Sequence, residues 1–533
     1  DELRRAFLFG EPVPGIELEY QLTEKILPAV TVADLQALAT TVFAPAGWFV
    51  AVLAPEKAGL VAPSEAQVMA VFAQVQAAPL APLAETAMTQ ELLEVEPEPG
   101  RITAERKIAE LGVTVWQLEN GITVVLKPTD FKDDQVLMRA LRYGGTSTVT
   151  DELLVPAGSA LGIVSQSGYG THTAAELPKL LSGHKASVHS FVDATSEGLE
   201  GGSAPDDLPT LMRLVYLVMT APRFTEEGLA LYRQHLVSEV ENRERSPESH
   251  FRDLVTRTLW QEHPRRRSWE LGDLPALDLE KSAAFYRARF GNARDFLFVF
   301  TGRFEPAALR PWVLRYLASL PAEATVQGVV DRHVVPVDTS VERTLRQGLE
   351  PKALVRLSFN KEIGSTPKER RRLGMVMELA TDLMRDELRE KRSGTYGVAV
   401  FPEIELKPVP RVQVGVQFGC APERVDELSQ AALTILAGLA DKPASPERLQ
   451  QLKATARRAH EAQLRNNGYW LDWLAGSLLR GEEPRELLEL GAEIDHVTAA
   501  DLQQTAAKFL DLSHHVRVVL LPEASGASTE VRL

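Results

Sequence analysis

The sequence predicts an α+β protein built from repeated two-layer domains, each a mixed, largely antiparallel β-sheet with helices packed on one face. Three observations predict it. Runs of strand-like residues and long helical stretches are segregated along the chain rather than strictly alternating. A helix-to-strand unit recurs: Val30-Thr31-Val32-Ala33-Asp34-Leu35-Gln36 returns as Val497-Thr498-Ala499-Ala500-Asp501-Leu502-Gln503, with a weaker middle copy from Leu277 to Phe290. The copies are spaced by whole domains, too far apart for a solenoid. Each is followed by an apolar strand, at Trp48–Leu53, Phe296–Thr301 and Val516–Leu521. Three closing units imply three domain ends, and only two of them have a full domain of sequence ahead.

The elements follow in order. Val113–Leu118 and Ile122–Leu126 form a hairpin around Glu119-Asn120-Gly121, where Asn-Gly is a strong turn signal. Gln135–Tyr143 is the next strand, and helices dominate from Leu177, including a core helix at Leu211–Ala221 and a longer one at Glu226–Arg245. Further on, strands are expected at Leu354–Phe359, Tyr396–Phe401 and Val412–Phe418, and helices near Pro367–Arg392, Pro422–Leu439 and Pro446–Arg465. Thr366-Pro367-Lys368-Glu369 is a strong helix start, with an N-cap, a first-turn proline and a capping-box glutamate. Leu373, Val376, Met377, Ala380, Leu383 and Met384 then keep a helical period, so one face is buried. Gly394 is read as the left-handed stop.

Composition narrows the function. A chain of 533 residues outgrows a single core, so about two to four domains are expected. A formal charge of −15 argues against a nucleic-acid partner. The triplets Arg265-Arg266-Arg267 and Arg370-Arg371-Arg372 are read as solvated faces. No apolar run is long enough for a membrane span. One cysteine, Cys420, excludes an internal disulfide and is read as a small buried hydrophobe. The first residues, DELRRAFLFG, look like the end of an amphipathic helix inside a larger protein.

The most informative stretch is Leu388–Val398, LREKRSGTYGV, which sets Arg389 seven positions before Tyr396 across a helix end and a strand start. Taken alone, this is cationic favour for a helix C-terminus and ordinary strand propensity for a tyrosine. The segment resembles the arginine–tyrosine signature in the C-terminal half of the pitrilysin/insulinase (M16) family of zinc peptidases. That resemblance implies that Arg389 holds a substrate backbone carbonyl, and that the Tyr396 hydroxyl is catalytic, stabilising the oxyanion. It also implies a LuxS/MPP-like metallohydrolase fold, with four homologous domains in two halves that close around a peptide. On that pattern residues 1–60 end domain two, 61–104 link the halves, 105–325 and 326–525 are domains three and four, and 526–533 is a tail.

The family's zinc motif, H-x-x-E-H with a distal glutamate, is absent from the pattern of the eleven histidines. By resemblance it would fall near Leu161-Gly162-Ile163-Val164-Ser165, where no ligand stands, with Glu239 or Glu241 in the region of the distal ligand. His172 with Glu176, and His235 with Glu239, are helix-spaced pairs that lack a second histidine. No zinc is therefore expected in this chain. The implied protein is the C-terminal half of a zinc metallopeptidase whose metal lies in an N-terminal half, its partner along with the peptide substrate. Bacterial single-chain relatives imply the periplasm, though the cysteine content fits the cytoplasm equally. Two other roles are carried along: a non-catalytic partner subunit, and a degenerate peptide-binding or structural module. Whether two copies associate stays open. Asn466-Asn467-Gly468-Tyr469-Trp470 resembles a segment of bacterial members, with Trp470 and Trp473 read as core.

Overall fold

The computed structural model describes residues 2–44, 48–54, 59, 61–79 and 91–523. It divides into two units, residues 1–87 and 88–533. The first unit carries the helices Glu2–Phe9, Ile16–Ile26, Val32–Val42 and Glu65–Ala77, and none of its described residues is buried. The recurring closing unit folds alike in both strong copies. Thr31 caps its helix by accepting from the Asp34 N–H while Asp34 takes the Thr31 N–H, and Thr498 and Asp501 repeat the box. In the middle copy Asp278 caps through the Lys281 N–H. The strand expected at Trp48–Leu53 does not form. No described strand pairs with it, and an unpaired strand would leave its own N–H and C=O groups unmet. The expected tail at 526–533 and residues 80–90 of the expected linker lie outside the described residues.

The second unit is built on two sheets. The first joins β1 (Ile102–Ile108), β2 (Val113–Leu118), β3 (Thr123–Pro128), β4 (Val136–Tyr143), β5 (Ala186–Val192), β6 (Ser196–Ser203) and β7 (Leu297–Gly302), in the order β1-β2-β3-β7-β4-β6-β5. The second joins β8 (Val341–Arg346), β9 (Ala353–Glu362), β10 (Thr395–Glu405), β11 (Arg411–Cys420) and β12 (Val516–Leu521), in the order β10-β11-β9-β12-β8. Their topologies coincide. β3 pairs parallel with β7 as β8 does with β12, and the remaining pairings run antiparallel in the same order. This is the mixed, repeated α+β architecture that the sequence predicts. The strands it does not predict are β1, β5, β6 and β8. β6 reads Ser-Glu-Gly-Leu-Glu-Gly-Gly-Ser, which has little strand propensity, and is held by pairing with β4 and β5 on both sides.

Each sheet buries one face under its own helices. Leu154–Ser167, Leu208–Thr220 and Leu279–Phe290 cover the first around Met138, Phe298 and Tyr286. Pro367–Met384, Val425–Asp441 and Ala499–Phe509 cover the second around Val355, Val414 and Leu436. The opposite faces are covered by exchange between the lobes. The helix Pro247–Leu259 of the first lobe lays Phe251 and Leu259 against Val516, Val518 and Leu520 of β12. In return Asn467–Leu479 lays Trp470, Leu471 and Leu474 against Leu297 and Val299 of β7. Asn467 locks this contact, accepting from Thr129 Oγ1 at 2.6 Å and, through its carbonyl, from Thr301 Oγ1 at 3.0 Å. Trp470 and the half-buried Trp473 are packing residues, as the sequence predicts, each donating its indole N–H to a backbone carbonyl. Truncating Phe251 or Leu474 to alanine is expected to cost about 2–5 kcal/mol in urea denaturation, although each belongs to the lobe opposite the sheet it covers.

The arginine triplets are not solvated faces. Arg265 donates to Asp151 and to the carbonyls of Thr146 and Val149. Arg266 pairs with Glu405 across the lobes and stacks on Trp260 at 4.1 Å. Arg267 grips Asp273 with both terminal nitrogens. Arg370 pairs with Glu482, Arg371 with Glu486 and Glu493, and Arg372 with Asp501. Runs of one charge become structural here because carboxylates distant in sequence meet them.

Candidate functional site

The arginine–tyrosine corner is made by the helix that begins at Thr366. Its capping box forms as expected, with the Thr366 N–H on Glu369 at 2.9 Å and the Glu369 N–H on Thr366 Oγ1 at 3.3 Å. Leu373, Val376, Met377, Ala380 and Met384 are buried against the second sheet. From Arg385 to Lys391 the helix widens into π-type turns. Leu388 there is fully buried, which anchors the turn and leaves the next residue, Arg389, facing solvent with 55 % of its side chain exposed. The helix closes with the Ser393 N–H on the Arg389 carbonyl and the Gly394 N–H on the Leu388 carbonyl, at 2.9 and 2.8 Å.

The left-handed residue of this stop is Ser393, with φ of 48°, not Gly394 as the sequence suggested. Gly394 is required for another reason. A Cβ there would lie 2.8 Å from Leu428 Cδ2, so the corner packs against the helix Val425–Asp441 only if residue 394 has no side chain. β10 then starts with a register irregularity between Thr395 and Val398, held by Thr395 Oγ1, which donates to the Gly397 carbonyl and accepts its N–H. Residue 396 sits inside that irregularity. The Tyr396 side chain lies outside the described residues.

The cations of the corner divide into two groups. Arg392 and Arg424 converge on Glu427, whose carboxyl their side-chain hydrogen bonds, Arg424 foremost, pull down to about 2. Lys391 and Arg392 also hold Glu387. Arg389 stands apart from this network, and among the described residues its one ion-pair neighbour is Glu390 at 3.6 Å. Its fork of donors is therefore available for a carbonyl or carboxylate. Beside the helix end runs a groove of about 590 Å³ floored by Val376, Leu379, Leu383 and Ile435, with Glu387 and Arg392 among its rim residues. Arg389 is not among its lining residues. No motif in the sequence signals this groove, because its walls are ordinary helical core positions.

The residues present do not fit a zinc centre. Residues 161–165 lie on the helix Leu154–Ser167 and carry no ligand. Among the described residues no group of three or more His, Cys, Asp or Glu is placed to hold a metal ion. His172 is buried, while Glu176 turns to cap Thr173. His184 is taken by Asp207 at 2.6 Å. His235 and Glu239 line a polar groove beside Arg243 and Arg252, whose positive charge opposes a cation. Cys420 is 5 % exposed in the second core, and burial pushes its thiol up to about 11. At pH 8 iodoacetamide is expected to label the native chain far more slowly than the chain in urea, a contrast that mass spectrometry reads directly.

Comparison with known proteins agrees with this architecture. Residues 276–456 match the family model described as the peptidase M16 inactive domain. The zinc protease PQQL-like of Arabidopsis thaliana is 26 % identical, over 98 % of this chain and 55 % of its own length. The similarity throughout is to M16 peptidases. A probable zinc protease PqqL of Haemophilus influenzae is 20 % identical over 82 % of this chain and 46 % of its own length. Among solved structures, the periplasmic protease PqqL from Escherichia coli superposes with a TM-score of 0.72 at 19 % identity, covering 98 % of this chain and 58 % of that one. The chain thus spans about half the length of the curated relatives it matches. The matched segment includes the whole Arg389–residue 396 corner.

Proposed function

We propose that this chain is the C-terminal, non-metal half of an M16 zinc metallopeptidase. It closes over peptide substrates and contributes Arg389 and Tyr396 to the reacting carbonyl, while the zinc belongs to an N-terminal half. The observation that carries this is the corner itself: a solvent-facing Arg389, left out of the neighbouring ion-pair network, on the last turn of a capped helix that leads directly into the strand bearing Tyr396. Further support comes from relatives named as zinc proteases of about twice the length. The domain plan given by the resemblance, with residues 105–325 and 326–525 as the third and fourth of four domains, is part of the proposal. So is export to the periplasm, which the Escherichia coli neighbour's description suggests.

Arg389 is assigned to hold a substrate carbonyl. Its guanidinium is always charged and offers several donors. Tyr396 is assigned to donate its phenolic hydrogen to the oxygen of the carbonyl under attack, since a phenol with a pKa near 10 stays protonated at pH 7. A zinc ion, when present in the other half, supplies activation of the attacking water.

The test is to purify this chain and measure zinc content and peptide hydrolysis, alone and mixed with its upstream half. Alone it is expected to hold no stoichiometric zinc and to cleave nothing, and activity should appear on mixing. One tightly bound zinc per isolated chain, with chelator-sensitive cleavage, would sink the proposal. An inactive mixture with a metal-loaded upstream half would favour the degenerate peptide-binding role.

A further inference from the structure

The face of the second sheet that meets the exchanged helix is apolar on one side and polar on the other. On β12 it presents Val516, Val518 and Leu520, covered by Pro247–Leu259. On β9, β10 and β11 the alternation of side chains brings Arg356, Ser358 and Asn360 alongside Gln413, Gly415 and Phe401.

Arg356 is the unusual member. The described residues include four buried arginines, Arg142, Arg289, Arg356 and Arg411. Three sit on carboxylates: Arg142 and Arg289 on Glu197, Arg411 on Glu405. Arg356, 8 % exposed, donates only through Nε to Ser358 Oγ at 3.1 Å. Its terminal nitrogens make no hydrogen bond or ion pair with any described residue. Glu403 attracts it from beyond pairing distance, and burial outweighs that attraction, lowering the guanidinium to about 10.

The surroundings are built to hold this group flat. Its guanidinium lies 4.1 Å from the Phe401 ring centroid. A Cβ on Gly415 would come within 2.4 Å of Arg356 Nη2 and 2.8 Å of the Phe401 ring, so only glycine leaves the space. Phe401 is 37 % exposed, which sets the stacked guanidinium close beneath the surface. Asn360 Oδ1, on the same face, is a buried acceptor with no donor among the described residues.

We propose that Arg356, held flat by Phe401 and Gly415, is a carboxylate-binding site for peptides on the strand layer that carries Tyr396. It rests on the proposed peptide-handling role. The guanidinium has already lost most of its water, so a carboxylate reaching its free edge gains two charge-assisted hydrogen bonds without a further desolvation cost on the protein side. Asn360 Oδ1 can then accept an N–H of the same peptide. The carboxylate comes from an acidic side chain or from the peptide C-terminus.

Three short fluorescent peptides of one neutral sequence separate these sources when titrated against the purified chain. One is amidated, one amidated with an internal glutamate, and one has a free C-terminus. At least one carboxylate peptide is expected to bind about 10-fold tighter than the neutral amide, and which one does so identifies the source. Arg356→Met, close in volume and uncharged, is expected to abolish the preference. Glu403→Gln changes an exposed residue and removes the competing carboxylate, so it should enlarge the preference. Equal binding of all three peptides overturns the carboxylate site and leaves the peptide-handling role standing. A preference that survives Arg356→Met, or that shrinks in Glu403→Gln, overturns the site as well. No binding of any peptide overturns both.

Discussion

Under the proposed function, replacing Tyr396 by phenylalanine in the chain joined to a metal-bearing half is expected to lower kcat about 100- to 1,000-fold, the scale of losing one oxyanion donor. The substitution keeps the ring and deletes only the hydroxyl. A contact that matures in the transition state is spent on kcat, so KM should move little. Arg389→Ala should behave differently. A guanidinium that holds a carbonyl of the bound peptide acts on ground state and transition state together, so its loss should appear substantially in KM. The solvent-facing position of Arg389 favours this split, because truncation there removes no core contact and should leave the melting temperature unchanged. Near-normal kcat in Tyr396→Phe would return the tyrosine to a packing role.

The fold was legible where local chemistry and tertiary structure agree. The capping box at Thr366 and the hairpin around Asn120 form from the short motifs that announce them. The Asn120 side chain adds what no motif shows, donating to the carbonyls of Leu317 and Leu320 across the lobe. What stayed hidden depends on partners far along the chain. The exchange of Pro247–Leu259 and Asn467–Leu479 between lobes could not be read from either helix, since periodicity shows that a face is buried and not what buries it. The arginine triplets misled for the same reason. At the candidate site, the residue pair and its helix-to-strand setting were visible in Leu388–Val398, whereas the release of Arg389 from the surrounding ion pairs depends on Glu427. Ser393 takes the left-handed position, while the glycine beside it packs against Leu428.

The largest loss of stability is expected from Glu197→Ala. Glu197 is fully buried on β6 and is the shared counter-ion of two buried arginines, Arg142 on β4 and Arg289 on the helix Leu279–Phe290. It also accepts the Gly145 N–H at 2.9 Å. The arginines spend their remaining donors on backbone: Arg142 on the carbonyls of Asn292 and Arg294, Arg289 on that of Gln327 in the segment between the lobes. One carboxylate therefore ties β4, β6, a helix and the interlobe segment together. Removing it leaves two like charges in a dry interior, where burial already works against the Arg142 charge and Glu197 opposes that effect. Breaking one partner of a buried pair costs about 3–5 kcal/mol, which for a lobe of this size lowers the melting temperature by roughly 6–20 °C. Glu197→Gln keeps acceptors for Gly145 and the guanidinium groups while deleting the charge, so its loss should fall between wild type and alanine. Adding Arg289→Met to Glu197→Ala removes one stranded charge and should recover part of the stability. Calorimetry on the four proteins decides it: a double variant no more stable than Glu197→Ala would mean that the cost comes from the cavity rather than from unpaired charge.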